Sequence, residues 1–296
     1  AAVEKPFTVV LMLDTSSSVW RKLGRIKDAA EAFVAQLRPE DQVMVVTFAH
    51  GLTVKCEPTS DRERIRKAIR GTGKGLSTHL YDAMDTVMTK HLKRLTGRKA
   101  IVLFTDGVDA ESTRVTHEDN FRTAEELDAL IYPIRYDTYS DAGNVNSGQS
   151  GPRPRLPGIL GRLPLPMPGG TITMGGGGSG STRADYAWGQ QYLRELARLT
   201  GGRPYEASKD LHDLDQAFSQ IAADLRRQYS LGYYPAQQGR PGQRRRLRVR
   251  VHQPDLAVRA RDSYIYQPTT DNAQDQKQTP KTAPVLKKPL VATAGR

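Results

Sequence analysis

Apolar residues along the chain fall into two rhythms, short unbroken runs and stripes at helical spacing, and the two alternate. "FTVVLMLD" (Phe7–Asp14) is unbroken and of strand length, the pattern of a strand buried on both faces. Leu23, Ile26, Ala30, Phe33, Val34 and Leu37 then recur on one face of a helix. "DQVMVVTFAH" and "GLTVKCEPT" predict a hairpin turning at Gly51, and "DRERIRKAIRG" a short helix with a glycine stop. After the loop "GTGKGLST", another helix carries Leu80, Met84, Val87, Met88, Leu92 and Leu95 on its inner stripe. "KAIVLFTDG" is a second buried strand ending in a carboxylate, "EDNFRTAEELDA" a helix and "LIYPIRYD" a further strand.

The rhythm then stops. Residues 138–183 are dominated by Gly, Pro, Ser and Arg, as in "PRPRLPGILGRLPLPMPGG" and "MGGGGSGS", a composition that cannot bury enough apolar surface to form a core. A flexible insertion is expected there. The pattern resumes with the helix "YAWGQQYLRELARLTGG", the strand "RPYEA" and the helix "DLDQAFSQIAADLRRQYS". "YSLGYYP", "RRLRVRV" and "LAVRARDSYIY" predict three strands of a small antiparallel sheet, and the polar residues after Gln267 a disordered tail. Strands alternating with helices imply an α/β fold: a doubly wound, mostly parallel sheet with helices on both faces and one antiparallel edge strand. The expected division is a main domain over 6–229, the β extension over 229–267 and the tail over 268–296.

Composition narrows the chemistry. With 296 residues there is ample length for a core, and no apolar run approaches a membrane span. The start, "AAVEKPF", lacks the basic and apolar regions of a signal peptide. A single cysteine, Cys56, excludes an intrachain disulfide and any multi-cysteine zinc site, and it reads as a small core residue of the edge strand. The six histidines show no HExxH or H-x3–5-H spacing, which argues against a soft-metal centre. The net charge of +12 points to acidic partners, yet much of it lies in "GRPGQRRRLRVRVH". There Arg246, Arg248 and Arg250 alternate with Leu247, Val249 and Val251, as in a half-buried strand with arginines on its wet face. Together with Arg244 they are the candidate contacts for a polyanion or nucleic acid, the alternative function class.

Three loops carry the chemistry: "DTSSS", "GLSTHLYDA" and "TDGVD". In an open parallel sheet, ligands bind at the carboxyl ends of the strands, where Asp14 and Asp106 both sit. Asp14, Ser16, Ser18, Thr78 and Asp106 make an all-oxygen set of two carboxylates and three hydroxyls, which suits a hard cation such as Mg2+. Neutral hydroxyls leave such an ion under-neutralised, an electrophile for an incoming carboxylate.

This constellation resembles the metal-ion-dependent adhesion site of the von Willebrand factor type A domain: D-x-S-x-S in the first loop, a threonine in the second and an aspartate in the third. The resemblance implies Mg2+ (or Mn2+ or Ca2+) held by Asp14, Ser16, Ser18, Thr78 and Asp106, with a protein partner's Asp or Glu completing the shell. Ser77 precedes Thr78 where the family more often has glycine, and the following "LYDA" keeps Thr78 in register. Ser17, Ser77, His79, Gly107 and Asp109 are the candidates for the ligand-binding rim. The closing strands resemble von Willebrand factor type A-related proteins of acidobacteria, which implies export from a bacterial cell and an adhesive role.

Competing readings are weaker. Asp14 and the serines alone would suit a helix N-cap, but Thr78 and Asp106 at matching strand ends favour the metal. "GTGKGLST" fails the phosphate-loop spacing, because Gly75 follows Lys74. An aspartate phosphatase needs an acid two residues after its nucleophile, where Ser16 stands, and no serine–histidine–acid set is legible. The expected function is therefore a binding module and not an enzyme. A structural scaffold whose metal only orders the loops is the remaining class. His79 and Asp109 read as solvent-facing residues, and Tyr81 and Asp82 as supports that hold the loop. The insertion leaves its strand on the proposed metal rim, as a lid, a partner-binding loop, a source of an internal ligand such as Asp141 or Asp185, or an unstructured loop of no specific role.

Overall fold

The computed structural model describes residues 6–139, 182–208, 211, 213–228, 235, 239–252 and 258–266. Six strands form one sheet in the order β3-β2-β1-β4-β5-β6: β1 (Phe7–Asp14), β2 (Gln42–Phe48), β3 (Leu52–Thr59), β4 (Arg98–Thr105), β5 (Leu130–Arg135) and β6 (Tyr205–Glu206). All pairs are parallel except β2 with β3, the antiparallel edge hairpin. The expected α/β architecture is what the chain adopts.

The unbroken apolar runs have a direct cause. Every residue of β1 is buried, because both of its faces are covered. Val9, Leu11 and Leu13 point into one core, packed with α1 (Leu23–Gln36), α2 (Arg62–Arg70) and α6 (Leu214–Arg226) through Ile26, Phe33, Ile65, Phe218 and Ile221. Val10 and Met12 point into the other, with α3 (Leu80–Thr86), α4 (His117–Glu126) and α5 (Arg183–Thr200) through Met84, Ala124, Tyr192 and Leu196. Each large aliphatic or aromatic side chain so buried contributes on the order of 1.5–3 kcal/mol. β3, at the edge, alternates instead, and Cys56 is its buried residue, the small core position expected in the edge strand.

Helix ends are set by local chemistry. Thr116 with Asp119 and Thr182 with Asp185 form capping boxes at the starts of α4 and α5. The stripe from Leu80 to Leu92 runs through α3 and on through a π turn (Val87–His91) and a 3-10 turn (Leu92–Arg94).

Of the basic C-terminal region, the described residues form a two-stranded antiparallel ladder, β7 (Arg244–Arg246) with β8 (Ser263–Ile265). It is tied to the main sheet's helices: Arg244 pairs with Glu125, Arg259 Nη1 lies 3.0 Å from Asp224 Oδ2, and Arg261 Nη2 donates to Leu127 O at 2.6 Å. The strand expected over "RRLRVRV" stops at Arg246. Val249 and Val251 are 40% and 45% exposed, so alternation there does not mark a half-buried face. "YSLGYYP" through Tyr234, the segment 140–181 and the tail from 267 lie outside the described residues.

Candidate metal centre

The chain enters α1 and β2 on one side of β1, whereas β4 lies on its other side, so the strand order reverses between β1 and β4. At such a switch point the loops leaving the two strands diverge and open a crevice at their carboxyl ends. Asp14 is the last residue of β1 and Asp106 the first after β4. Both are buried, at 0% and 2% exposure.

Hydrogen bonds hold each of the two carboxylates in place. Asp14 Oδ1 accepts from Ser16 N at 2.9 Å, and its Oδ2 accepts from Thr105 Oγ1 at 2.8 Å. The Ser16 and Ser18 hydroxyls share a hydrogen bond of 3.1 Å, and the nearby Ser18 hydroxyl favours the charged form of Asp106. Asp106 Oδ1 accepts from Val108 N at 3.1 Å, and its Oδ2 from Thr138 Oγ1 at 2.7 Å. Thr138 Oγ1 lies 2.8 Å from Tyr186 OH, which ties the end of β5 and the start of α5 to the same site.

Thr78 is buried in the second loop, and its carbonyl accepts from Ala110 N at 3.0 Å and Glu111 N at 3.2 Å. That loop docks on the first through Gly75 N, which donates to Thr15 O at 2.7 Å. A side chain at Gly75 would meet Ala49 Cβ at 2.2 Å, so only glycine permits this approach. Gly107 is held at φ +85 against α5, where a Cβ on Gly189 would sit 2.4 Å from Gly107 O. The third loop is thus fixed by backbone contact.

Electrostatics point to a cation. Burial pushes the Asp14 carboxyl up to about 7, with the nearby Asp106 charge adding to the shift. Burial likewise raises Asp106. Two fully buried carboxylates that disfavour one another's charge form a costly arrangement for the protein alone, and an ion between them reverses that cost. The buried Tyr136 hydroxyl makes no hydrogen bond, and both aspartates raise its pKa after burial itself. The donor set and the orphaned hydroxyl fit a hydrated hard cation.

Residues 9–108 match the family model of the von Willebrand factor type A domain. Over that stretch the chain is similar to the von Willebrand factor type A domain, and the sheet order described above agrees with it. A von Willebrand factor type A structure from Catenulispora acidiphila matches at 13% identity and a TM-score of 0.51, over 75% of this chain and 43% of that one. The chain therefore spans less than half the length of that protein. BatB from Bacteroides thetaiotaomicron matches at 16% identity and TM-score 0.46, over 74% of this chain and 98% of that one. Proximal thread matrix protein 1 from the mussel byssus, with a zinc-occupied adhesion-site motif, matches at 15% identity and TM-score 0.47, over 74% and 46%. No curated protein matches the chain. The Catenulispora acidiphila match supports the same fold, and type A domains are generally interaction modules.

The rim candidates have distinct positions. Ser17 opens a 3-10 turn (Ser17–Val19) beside the site. Ser77 is buried and its hydroxyl donates to Glu111 Oε2 at 2.6 Å. Asp109 is not a free surface acid: Oδ1 accepts from Tyr81 N at 3.0 Å and Ser112 Oγ at 2.6 Å, holding the first turn of α3. Asp82 has the supporting role expected of it, accepting from the Thr113, Arg114 and Val115 amides at 3.1–3.3 Å. His79 turns inward and not toward solvent, with a side chain only 14% exposed. Asp185 is occupied in the α5 capping box, and Asp141 lies outside the described residues. Arg246, Arg248 and Arg250 are exposed, whereas Arg244 pairs with Glu125. Thr105, Thr138 and Tyr186 are the partners that sequence reading missed. Thr138 falls inside the stretch read as insertion, yet it is buried against Asp106.

Proposed function

We propose that the domain is a metal-dependent protein-binding module, in which Asp14, Ser16, Ser18, Thr78 and Asp106 hold Mg2+ or Mn2+ directly or through water. A partner's Asp or Glu completes the ion's shell. The observation that carries this reading is the pair of buried carboxylates at adjacent strand ends, with the paired Ser16 and Ser18 hydroxyls beside them. When bound, the ion supplies the electrophilic centre that attracts a carboxylate. The chain's own residues do the rest: Thr105 and the Ser16 amide orient Asp14, while Thr138 and the Val108 amide orient Asp106. Two carboxylates no more than balance a divalent ion, and its remaining positions are filled by neutral hydroxyls and water, so an anionic oxygen from a partner can displace a water there. We assign the module to residues 6–229, with the basic ladder as an appendage, and place it outside the cytoplasm of a bacterium. No helix among the described residues is long and apolar enough to cross a membrane.

The test is calorimetric titration of the full chain with Mg2+ and Mn2+. Asp14→Ala is expected to abolish binding while circular dichroism shows the fold intact. Chelator should lower the melting temperature of the wild type and leave that variant unchanged. Wild-type affinity in Asp14→Ala would overturn the assignment. Chelation that alters melting but not capture of a partner would point to a scaffold.

A further inference from the structure

A second group of metal-ligating side chains lies on the same rim, outside the oxygen cluster. His50 sits in the β2–β3 turn, His79 immediately before α3, and Glu111 in the loop after β4. One ligand atom from each lies within 4.8 Å of the others. The His50 and His79 rings meet edge-on with centroids 4.8 Å apart. His79 Nε2 is buried and makes no hydrogen bond, although Glu111 Oε2 stands 3.5 Å away. On the other side of the ring, Nδ1 faces Asp82 Oδ2 at 3.9 Å. One nitrogen toward a carboxylate and the other toward a shared ligand position is how metal-bound histidines are oriented. Ser77 donates to Glu111 Oε2 at 2.6 Å and steadies the third ligand.

We propose that His50, His79 and Glu111 form a second cation site, selective for Zn2+ and distinct from the oxygen site. Two imidazoles and a carboxylate suit a borderline ion, whereas the aspartate–hydroxyl set suits a hard one. Tetrahedral coordination with bonds of about 2.0–2.1 Å needs ligand atoms roughly 3.3 Å apart. His50 and Glu111 are exposed, so small side-chain rotations close the gap from 4.8 Å. Three protein ligands leave a fourth tetrahedral position. Two of the three ligands, His50 and His79, also line a cleft of about 420 Å³ with Asp82, Lys90 and Arg114, a route by which water or a carboxylate would reach the ion. The ion would fasten three loops together beside Thr78, whose carbonyl already accepts from the Glu111 amide.

The experiment is a Zn2+ titration of the full chain with Mg2+ held at saturation, repeated with Co2+ for its visible absorption. Wild type and Asp14→Ala are expected to bind one Zn2+ each. His50→Ala and Glu111→Gln, at exposed positions where folding is not threatened, should lose that binding at least tenfold and keep Mg2+ binding. A Co2+ visible band should appear in the first two proteins and be absent from the second two. Zn2+ binding lost in Asp14→Ala but kept in His50→Ala would show zinc in the oxygen site and overturn the proposal. Binding unaffected by every variant, or absent from the wild type, would overturn it too. A failure here leaves Asp14-dependent Mg2+ binding untouched, so the two readings fall separately.

Discussion

Two potential cation sites share one rim and are built in opposite ways. The oxygen cluster is anchored in the sheet: Asp14 and Asp106 lie at the buried ends of the paired strands β1 and β4, and hydrogen bonds from Ser16, Thr105 and Thr138 hold their carboxylates. The histidine cluster is assembled from a hairpin turn, a helix start and a loop, with two of its three members exposed. The difference teaches what burial does to chemistry. Burial makes the carboxylates costly without a counter-charge, so an ion would stabilise that site, whereas the histidine cluster, with two of its members exposed, carries no comparable cost.

Mutations can break that contrast in graded steps. The largest effect is expected from Gly189→Ala, whose new methyl would collide with the Gly107 carbonyl. Overpacking against backbone should cost about 3 kcal/mol and displace the Asp106 loop, so Mg2+ binding falls while Zn2+ binding persists. Denaturant unfolding with paired titrations checks this. Asp82→Ala removes the acceptor of three loop amides and should cost about 2 kcal/mol. Because Asp82 also faces His79, its loss should weaken Zn2+ more than Mg2+. Thr138→Val deletes the hydroxyl that holds Asp106, with an expected cost of about 1 kcal/mol and a change confined to Mg2+ affinity. Arg244→Ala breaks a half-exposed pair with Glu125, far from both sites, and should shift stability by less than about 1 kcal/mol.

The same contrast explains what the sequence revealed. A strand buried on both faces announces itself as an unbroken apolar run, and the carboxylate ending it is read with it, so Asp14 and Asp106 were legible together with the sheet. The Asp82 support was legible because it lies in the helix register after Thr78. Thr138 was hidden, since it opens a stretch whose composition signals no structure. His50, His79 and Glu111 lie on three different loops, with no spacing that announces a metal. Only folding the hairpin against α3 brings the imidazoles together. The exposed Val249 and Val251 carry the converse lesson: alternation alone does not bury a strand that has no layer over it.

The most direct measurement is a Mn2+ titration, followed by electron paramagnetic resonance, of the His50→Ala/Glu111→Gln double variant. With the histidine cluster removed, one Mn2+ per chain should still bind, and adding Asp106→Asn should abolish it. No bound Mn2+ in the double variant, or binding indifferent to Asp106→Asn, would contradict the claim that the paired strand-end aspartates hold a cation.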